Sequence, residues 1–110
     1  MLNNKKSKIV GDKLLTKVIE LIQVRLMDLG DVTYDIKREL SPTVAYEEHL
    51  IVILYDRNNF QNCVWTSIDM DVVLRLASND NEFIVKELID PTILKLRHAF
   101  EALKDGNLIK

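Results

Sequence analysis

Residues 50–68 read LIVILYDRNNFQNCVWTSI, and this stretch decides the fold class. Its first part, residues 50–55, is apolar at consecutive positions, which is typical of a central strand covered on both faces. Residues 56–59 are Asp, Arg, Asn and Asn, the side chains that turns favour. Because a second strand-like run follows over residues 60–68, the stretch predicts a β-hairpin.

Another strand is predicted ahead of this hairpin. From residue 32 to residue 40, apolar and polar side chains alternate, which indicates a half-buried strand with one wet face. Ser41 and Pro42 end this strand. The central strand is then expected to span residues 44–55. Together the three runs predict a three-stranded antiparallel sheet.

The segment before the sheet predicts an amphipathic helix. Behind Asp12, apolar residues recur at the i, i+3, i+4, i+7 spacing as far as Leu29, and Gly30 is a natural stop. Apolar residues also lie off this stripe, so we expect the helix either to sit centrally in the fold or to meet a second protein surface. The residues off the stripe are Leu21, Val24 and Met27.

The C-terminal third predicts further helices. Asp69 can cap a short helix, although residues 72–76 also fit a fourth strand. Residues 83–89 fit both the helical and the strand periodicity and are assigned as helix. Asp90 as N-cap and Pro91 at the first position open a last helix. Its apolar face holds Ile93, Leu96, Phe100 and Leu103, and Gly106 follows its end. The predicted order is α-β-β-β-α-α-α, a two-layer α+β fold.

The chain has 110 residues and a net charge of −2, which suits one globular domain over residues 9–110. The charge is unevenly distributed. Residues 1–25 carry a net charge of +4, whereas residues 26–90 carry −8. Residues 1–8 are predicted to form a basic, flexible arm. Its lysines give an alternative function as a nucleic-acid-associated accessory protein, but three clustered lysines are fewer than basic recognition tracts hold. They are Lys5, Lys6 and Lys8.

The location is predicted to be the cytoplasm. Residues 1–13 lack the apolar stretch of a signal peptide, and a lone Cys63 cannot form a disulfide within the chain. The longest apolar run, residues 50–54, is far shorter than the roughly 20 residues of a membrane span. No membrane partner is therefore expected.

The sequence gives little support for a catalytic function. Cys63 with His49 or His98 is the one conceivable nucleophile and base pair, and a packed thiol is the favoured interpretation. One cysteine and two separated histidines cannot form a zinc site. Three glycines set far apart provide no phosphate-binding loop, so no metal or cofactor is predicted.

A magnesium-dependent nuclease is the remaining enzymatic hypothesis. Asp35 and Lys37 fall on one face of the first strand, and Glu20 on the first helix could approach them. Asp35 and Lys37 are also typical of the solvent-facing side of an ordinary strand, where oppositely charged neighbours are common. The acidic charge of residues 26–90 disfavours a nucleic-acid substrate, so the chain is not predicted to be an enzyme. Asp69 and Asp71 are interpreted as acidic residues in the first turn of a helix.

The leading hypothesis is a non-enzymatic protein-interaction module. Such a module is a small adaptor, a chaperone-like factor or an assembly component, of phage or mobile-element origin, and its partner is a second copy in a homodimer or another protein. The sheet has a second face that must be either wet or covered by a partner. Small acidic α+β dimers occur among secretion chaperones and phage connector proteins. The predicted fold is similar to them in architecture alone, with no matching residues. The predicted interface residues are Trp65, Ile51, Ile53, Cys63 and Leu21.

Overall fold

A computed structural model describes residues 2–30, 32–40 and 47–105, with side chains from residue 13 onwards within those ranges. The order of its elements confirms the predicted α+β class and the predicted sequence of helices and strands. The elements are α1 (Leu2–Met27), β1 (Val32–Leu40), β2 (Glu48–Asp56), β3 (Asn59–Asp69), α2 (Met70–Ala77), α3 (Asn81–Ile84), a π-helical turn (Val85–Ile89) and α4 (Asp90–Lys104).

The strands form one antiparallel sheet in the order β1-β2-β3, so β2 is central as predicted. At the hairpin turn, the backbone N–H of Asn58 donates to Asp56 Oδ1 at 2.9 Å. This is the local hydrogen bond that makes aspartate common in turns. The predicted start of the central strand, at Val44, lies outside the described residues.

One face of the sheet packs against the helices. Alternate residues of β2 are fully buried there, because successive side chains of a strand point to opposite faces. They are Leu50, Val52 and Leu54. The intervening Ile51 and Ile53 are only partly buried. The prediction that this strand is covered on both faces is therefore wrong for the chain on its own.

The helices share one core with that face of the sheet. Val18, Ile22 and Leu26 of α1 follow the predicted stripe and are buried. The helix begins at Leu2, ten residues before the predicted start at Asp12, so the predicted basic arm is helical from Leu2 onwards. Among the described helices, none combines the length and the apolar character that crossing a bilayer requires.

The first helix ends as the sequence predicts. Its last residue is Met27, and Gly30 adopts a φ of +88° a short distance beyond. Glycine accepts this left-handed backbone without the steric cost that a Cβ atom brings. The chain can therefore reverse direction and enter β1.

The helix α2 confirms the short helix predicted after Asp69 and shows that residues 72–76 do not form a fourth strand. Asp69 Oδ1 accepts a hydrogen bond from the backbone N–H of Asp71 at 2.9 Å, which is the predicted capping role. At the other end, Lys17 Nζ donates to the carbonyl oxygens of Ala77 at 3.3 Å and Asn79 at 2.9 Å. A charged side chain of α1 thus satisfies carbonyls at the C-terminal end of α2.

The last helical run differs from the prediction at Asp90. This residue does not cap a new helix, because the backbone is already helical before it, and its carboxylate instead lies 3.3 Å from Arg25 Nε. The N-cap of the run is Asp80, which accepts a hydrogen bond from Phe83 N–H at 2.8 Å. Pro91 has no N–H to continue the α-helical pattern and crowds the carbonyl four residues earlier, which explains the π-helical turn before it.

Candidate protein-interaction surface

We call the side of the sheet that faces away from the helices the outer face. Its apolar part consists of Ile51, Ile53 and Tyr55 from β2 and Cys63 and Trp65 from β3. The strand register places Ile53 beside Trp65 and Tyr55 beside Cys63. These five side chains are therefore neighbours, although they come from two strands.

The apolar part of the outer face is open to solvent. Trp65 is 65% exposed, and Phe60, next to the hairpin turn, is 64% exposed. The Phe60 ring meets the Tyr55 ring edge to face, with centroids 6.3 Å apart. Clustered exposed apolar side chains are typical of a surface that contacts another molecule.

The remainder of the outer face is polar. It consists of Thr33, Asp35, Lys37 and Glu39 from β1, His49 from β2, and Ser67 and Asp69 from β3. Asp35 and Lys37 lie on this face, as predicted, with Lys37 Nζ 3.8 Å from Asp35 Oδ2 and both side chains about half exposed. The register sets Asp35 beside Ile53 and Lys37 beside Ile51. The outer face is therefore apolar over residues 51–55 of β2 and 63–65 of β3, charged along β1, and polar at the end that holds His49 and Asp69.

Four of the five predicted interface residues lie together on the outer face. They are Trp65, Ile51, Ile53 and Cys63. Leu21 does not join them, because α1 packs on the opposite side of the sheet and Leu21 is partly buried against the core. Phe60 and Tyr55 were not assigned to the interface from the sequence. For Tyr55 the signal was available, since it continues the alternate positions 51 and 53.

The structure separates the proposed cysteine and histidine pair. Cys63 lies opposite Tyr55, six residues along β2 from His49. At about 3.3 Å per residue these positions are about 20 Å apart. His98 is exposed on α4, in the helical layer. Neither histidine is placed to activate the Cys63 thiol, which is exposed rather than packed as the sequence predicted.

His49 has a different environment from the one expected. It is partly buried, with Nε2 3.7 Å from Glu47 Oε1. Its Nδ1 atom is buried and makes no hydrogen bond to the described residues. A buried nitrogen of this kind is uncommon in folded proteins. It lies on the outer face, at the end distant from Tyr55.

The hypothetical magnesium site does not assemble in the structure. Asp35 and Lys37 lie on the outer face, whereas Glu20 is an exposed residue of α1 on the side of the helix away from the core. The sheet and its core lie between them. Over the residues the structure describes, no group of three or more histidine, cysteine, aspartate or glutamate side chains is arranged to hold a metal ion.

A half-open cleft that sequence reasoning missed lies at one end of the sheet. It has a volume of about 340 Å³, with an apolar floor and a rim of both charges on which Arg97 Nε lies 3.4 Å from Glu101 Oε1. The rim cations and anions compensate one another, so the cleft has no marked preference for a charged ligand. Its floor is formed by Leu29, Val32, Leu54 and Phe100.

Comparison with known proteins adds no assignment. No family model matches this sequence, and searches of curated proteins and of solved structures give no match. The fold and the candidate surface define the class: a small α+β protein with three antiparallel strands, helices on one face of the sheet, and an open apolar surface on the other.

Proposed function

We propose that this protein is a non-enzymatic protein-interaction module that binds another polypeptide through its outer face. The observation that carries the proposal is the 65% exposure of Trp65 beside Ile53 and Cys63 on the uncovered outer face of the sheet. Roles as an adaptor, a chaperone-like factor or an assembly component all fit such a surface.

The energetics of an exposed indole support docking on this face. Covering the exposed part of a tryptophan removes on the order of 100 Å² of apolar surface from water, which contributes about 2–3 kcal/mol. Tryptophan is also one of the residues enriched at the energetic centres of protein interfaces. Trp65 is therefore the expected anchor, with Ile53 as its apolar neighbour on β2.

The charge around the outer face favours a protein partner over a nucleic acid. The strand register places three acids on the outer face, Asp35, Glu39 and Asp69, against one base, Lys37, and residues 26–90 as a whole carry a net charge of −8. A phosphate backbone is repelled by such a surface, whereas a polypeptide can present apolar side chains and compensating cations. The nucleic-acid alternative rests on Lys5, Lys6 and Lys8, whose side chains lie outside the described residues, and it stays a prediction.

The proposal is tested by photo-crosslinking in the cells that make the protein. With p-benzoylphenylalanine in place of Trp65, we expect a covalent adduct with a polypeptide. Leu94 is the matched control, because it is also an exposed apolar residue, 51% exposed, but lies on α4 in the helical layer. The same probe at Leu94 should give little or no adduct. Absence of any polypeptide adduct from position 65 would contradict the proposal.

A further inference from the structure

We infer that the polypeptide covering the outer face is a second copy of this chain, packed face to face about a twofold axis. This inference rests on the proposed function and names its partner. It depends on one property of the outer face, namely that a specific twofold rotation makes the two central rows of its side chains complementary to each other in both charge and size.

The strand register defines two adjacent rows across the outer face. One row contains Asp35, Ile53 and Trp65. The next row contains Lys37, Ile51 and Ser67. Each row thus holds one charged residue on β1, one isoleucine on β2 and one residue on β3, and the two charges have opposite sign.

A twofold axis that lies between these rows, in the plane of the interface and perpendicular to the strands, exchanges the two rows. Asp35 of one copy then faces Lys37 of the other copy, twice in the dimer. Ile53 faces Ile51 on the central strands. The large Trp65 faces the small Ser67, so bulky and small side chains interdigitate across the interface as close packing requires.

The contents of the two rows select this axis over the alternatives. The same rotation placed between the rows of Lys37 and Glu39 would also pair opposite charges, but it would set His49 against Ile51 and Asp69 against Ser67 in place of the apolar contacts. An axis parallel to the strands would set Asp35 against Trp65 and Lys37 against Ser67, which desolvates both charges without pairing them. An axis through Lys37 itself would oppose two lysines. In the selected arrangement Lys37, already 3.8 Å from its own Asp35, lies between two carboxylates, and each carboxylate lies between two lysines.

The size of the face indicates a reversible dimer. Three strands about 4.8 Å apart and seven residues long give a patch of about 14 by 20 Å, or about 300 Å² on each copy. Specific interfaces commonly bury about 800 Å² per partner. The dimer is therefore expected to dissociate on dilution, as small interfaces do.

Charge-reversal variants test the twofold arrangement. We expect sedimentation velocity of the full chain to show a monomer–dimer equilibrium that depends on concentration. Asp35→Lys opposes like charges twice in its homodimer, and so does Lys37→Asp, so each variant should dimerise at least about tenfold more weakly. An equimolar mixture of the two variants restores opposite charges at both contacts and should recover dimer formation. The double variant Asp35→Lys/Lys37→Asp should recover it as well.

Two controls keep the result interpretable. Lys95→Asp reverses the charge of an exposed residue of α4 and should leave dimerisation unchanged. Circular dichroism should show native secondary structure for every variant, because positions 35 and 37 lie on the outer face and not in the core.

Three outcomes of the sedimentation experiments would overturn the inference. The first is a chain that remains monomeric at millimolar concentration. The second is a dimer that neither single reversal weakens, and the third is a weakened dimer that the mixture fails to restore. If the probe at Trp65 captures only a different polypeptide, the proposed function stands and this inference fails. If the probe captures no polypeptide, both fail.

Discussion

Replacing Ile22 with alanine is expected to lower the free energy of unfolding by about 3–4 kcal/mol, because the change opens a cavity in a packed core. Ile22 has no exposed surface and lies on α1 where the helix meets the sheet. Total stabilities of small domains are about 5–15 kcal/mol, so the variant should lose a large share of its stability. Urea denaturation followed by circular dichroism measures the loss.

The matched control is on the same helix. Met27→Ala removes an apolar side chain that is 72% exposed, and its effect should stay within about 0.5 kcal/mol. A loss of less than about 1 kcal/mol for Ile22→Ala would contradict the packing of α1 in the core that the helices share with the sheet.

Replacing Trp65 with alanine is expected to weaken association strongly while leaving the stability of the folded monomer almost unchanged. Association through the outer face should weaken by at least about thirtyfold, because truncating an interface anchor costs 2 kcal/mol or more. The stability of the folded monomer should change by less than about 1 kcal/mol, since the side chain is 65% exposed and contributes little to the core. Sedimentation velocity measures the first quantity, and urea denaturation at low concentration measures the second.

Leu94→Ala provides the comparison for this variant. Leu94 is 51% exposed on α4, in the layer away from the outer face, and its truncation should leave association unchanged. Equal effects of the two substitutions, or full association by Trp65→Ala, would show that the outer face is not the contact surface.

Local sequence patterns predicted the strands well. The alternation over residues 32–40 and the polar turn at residues 56–59 are properties of neighbouring residues, and both appear in the structure. The start of α1 was missed because apolar periodicity marks only the packed part of a helix. Residues 2–11 continue the helix without strengthening that pattern.

The error at Asp90 has a comparable cause. An aspartate followed by Pro91 has the composition of a helix N-terminus, and sequence alone does not distinguish that from a proline inside a longer helical run. Here the run starts at the Asp80 cap, and the π-helical turn before Pro91 accommodates the missing N–H.

The candidate surface was predictable only in part. Ile51, Ile53, Cys63 and Trp65 follow from strand periodicity once the hairpin is assigned. The distance between His49 and Cys63 required the register, which pairs Cys63 with Tyr55 and is shifted between Tyr55 and Asp56. A change of one residue in the register would move each side chain to the other face of the sheet. The register is set by the geometry of the hairpin turn, so the positions of His49 and Cys63 depend on that geometry.

The most direct test of the central claim, that a polypeptide covers the outer face, uses the single tryptophan of the chain. Fluorine-19 NMR of protein labelled with 5-fluorotryptophan observes the Trp65 side chain alone, and the change of its chemical shift between H₂O and D₂O measures exposure to solvent. We expect this isotope shift to decrease as the protein concentration rises, or on addition of extract from the cells that make the protein. A full isotope shift at every concentration and in the extract would contradict the account.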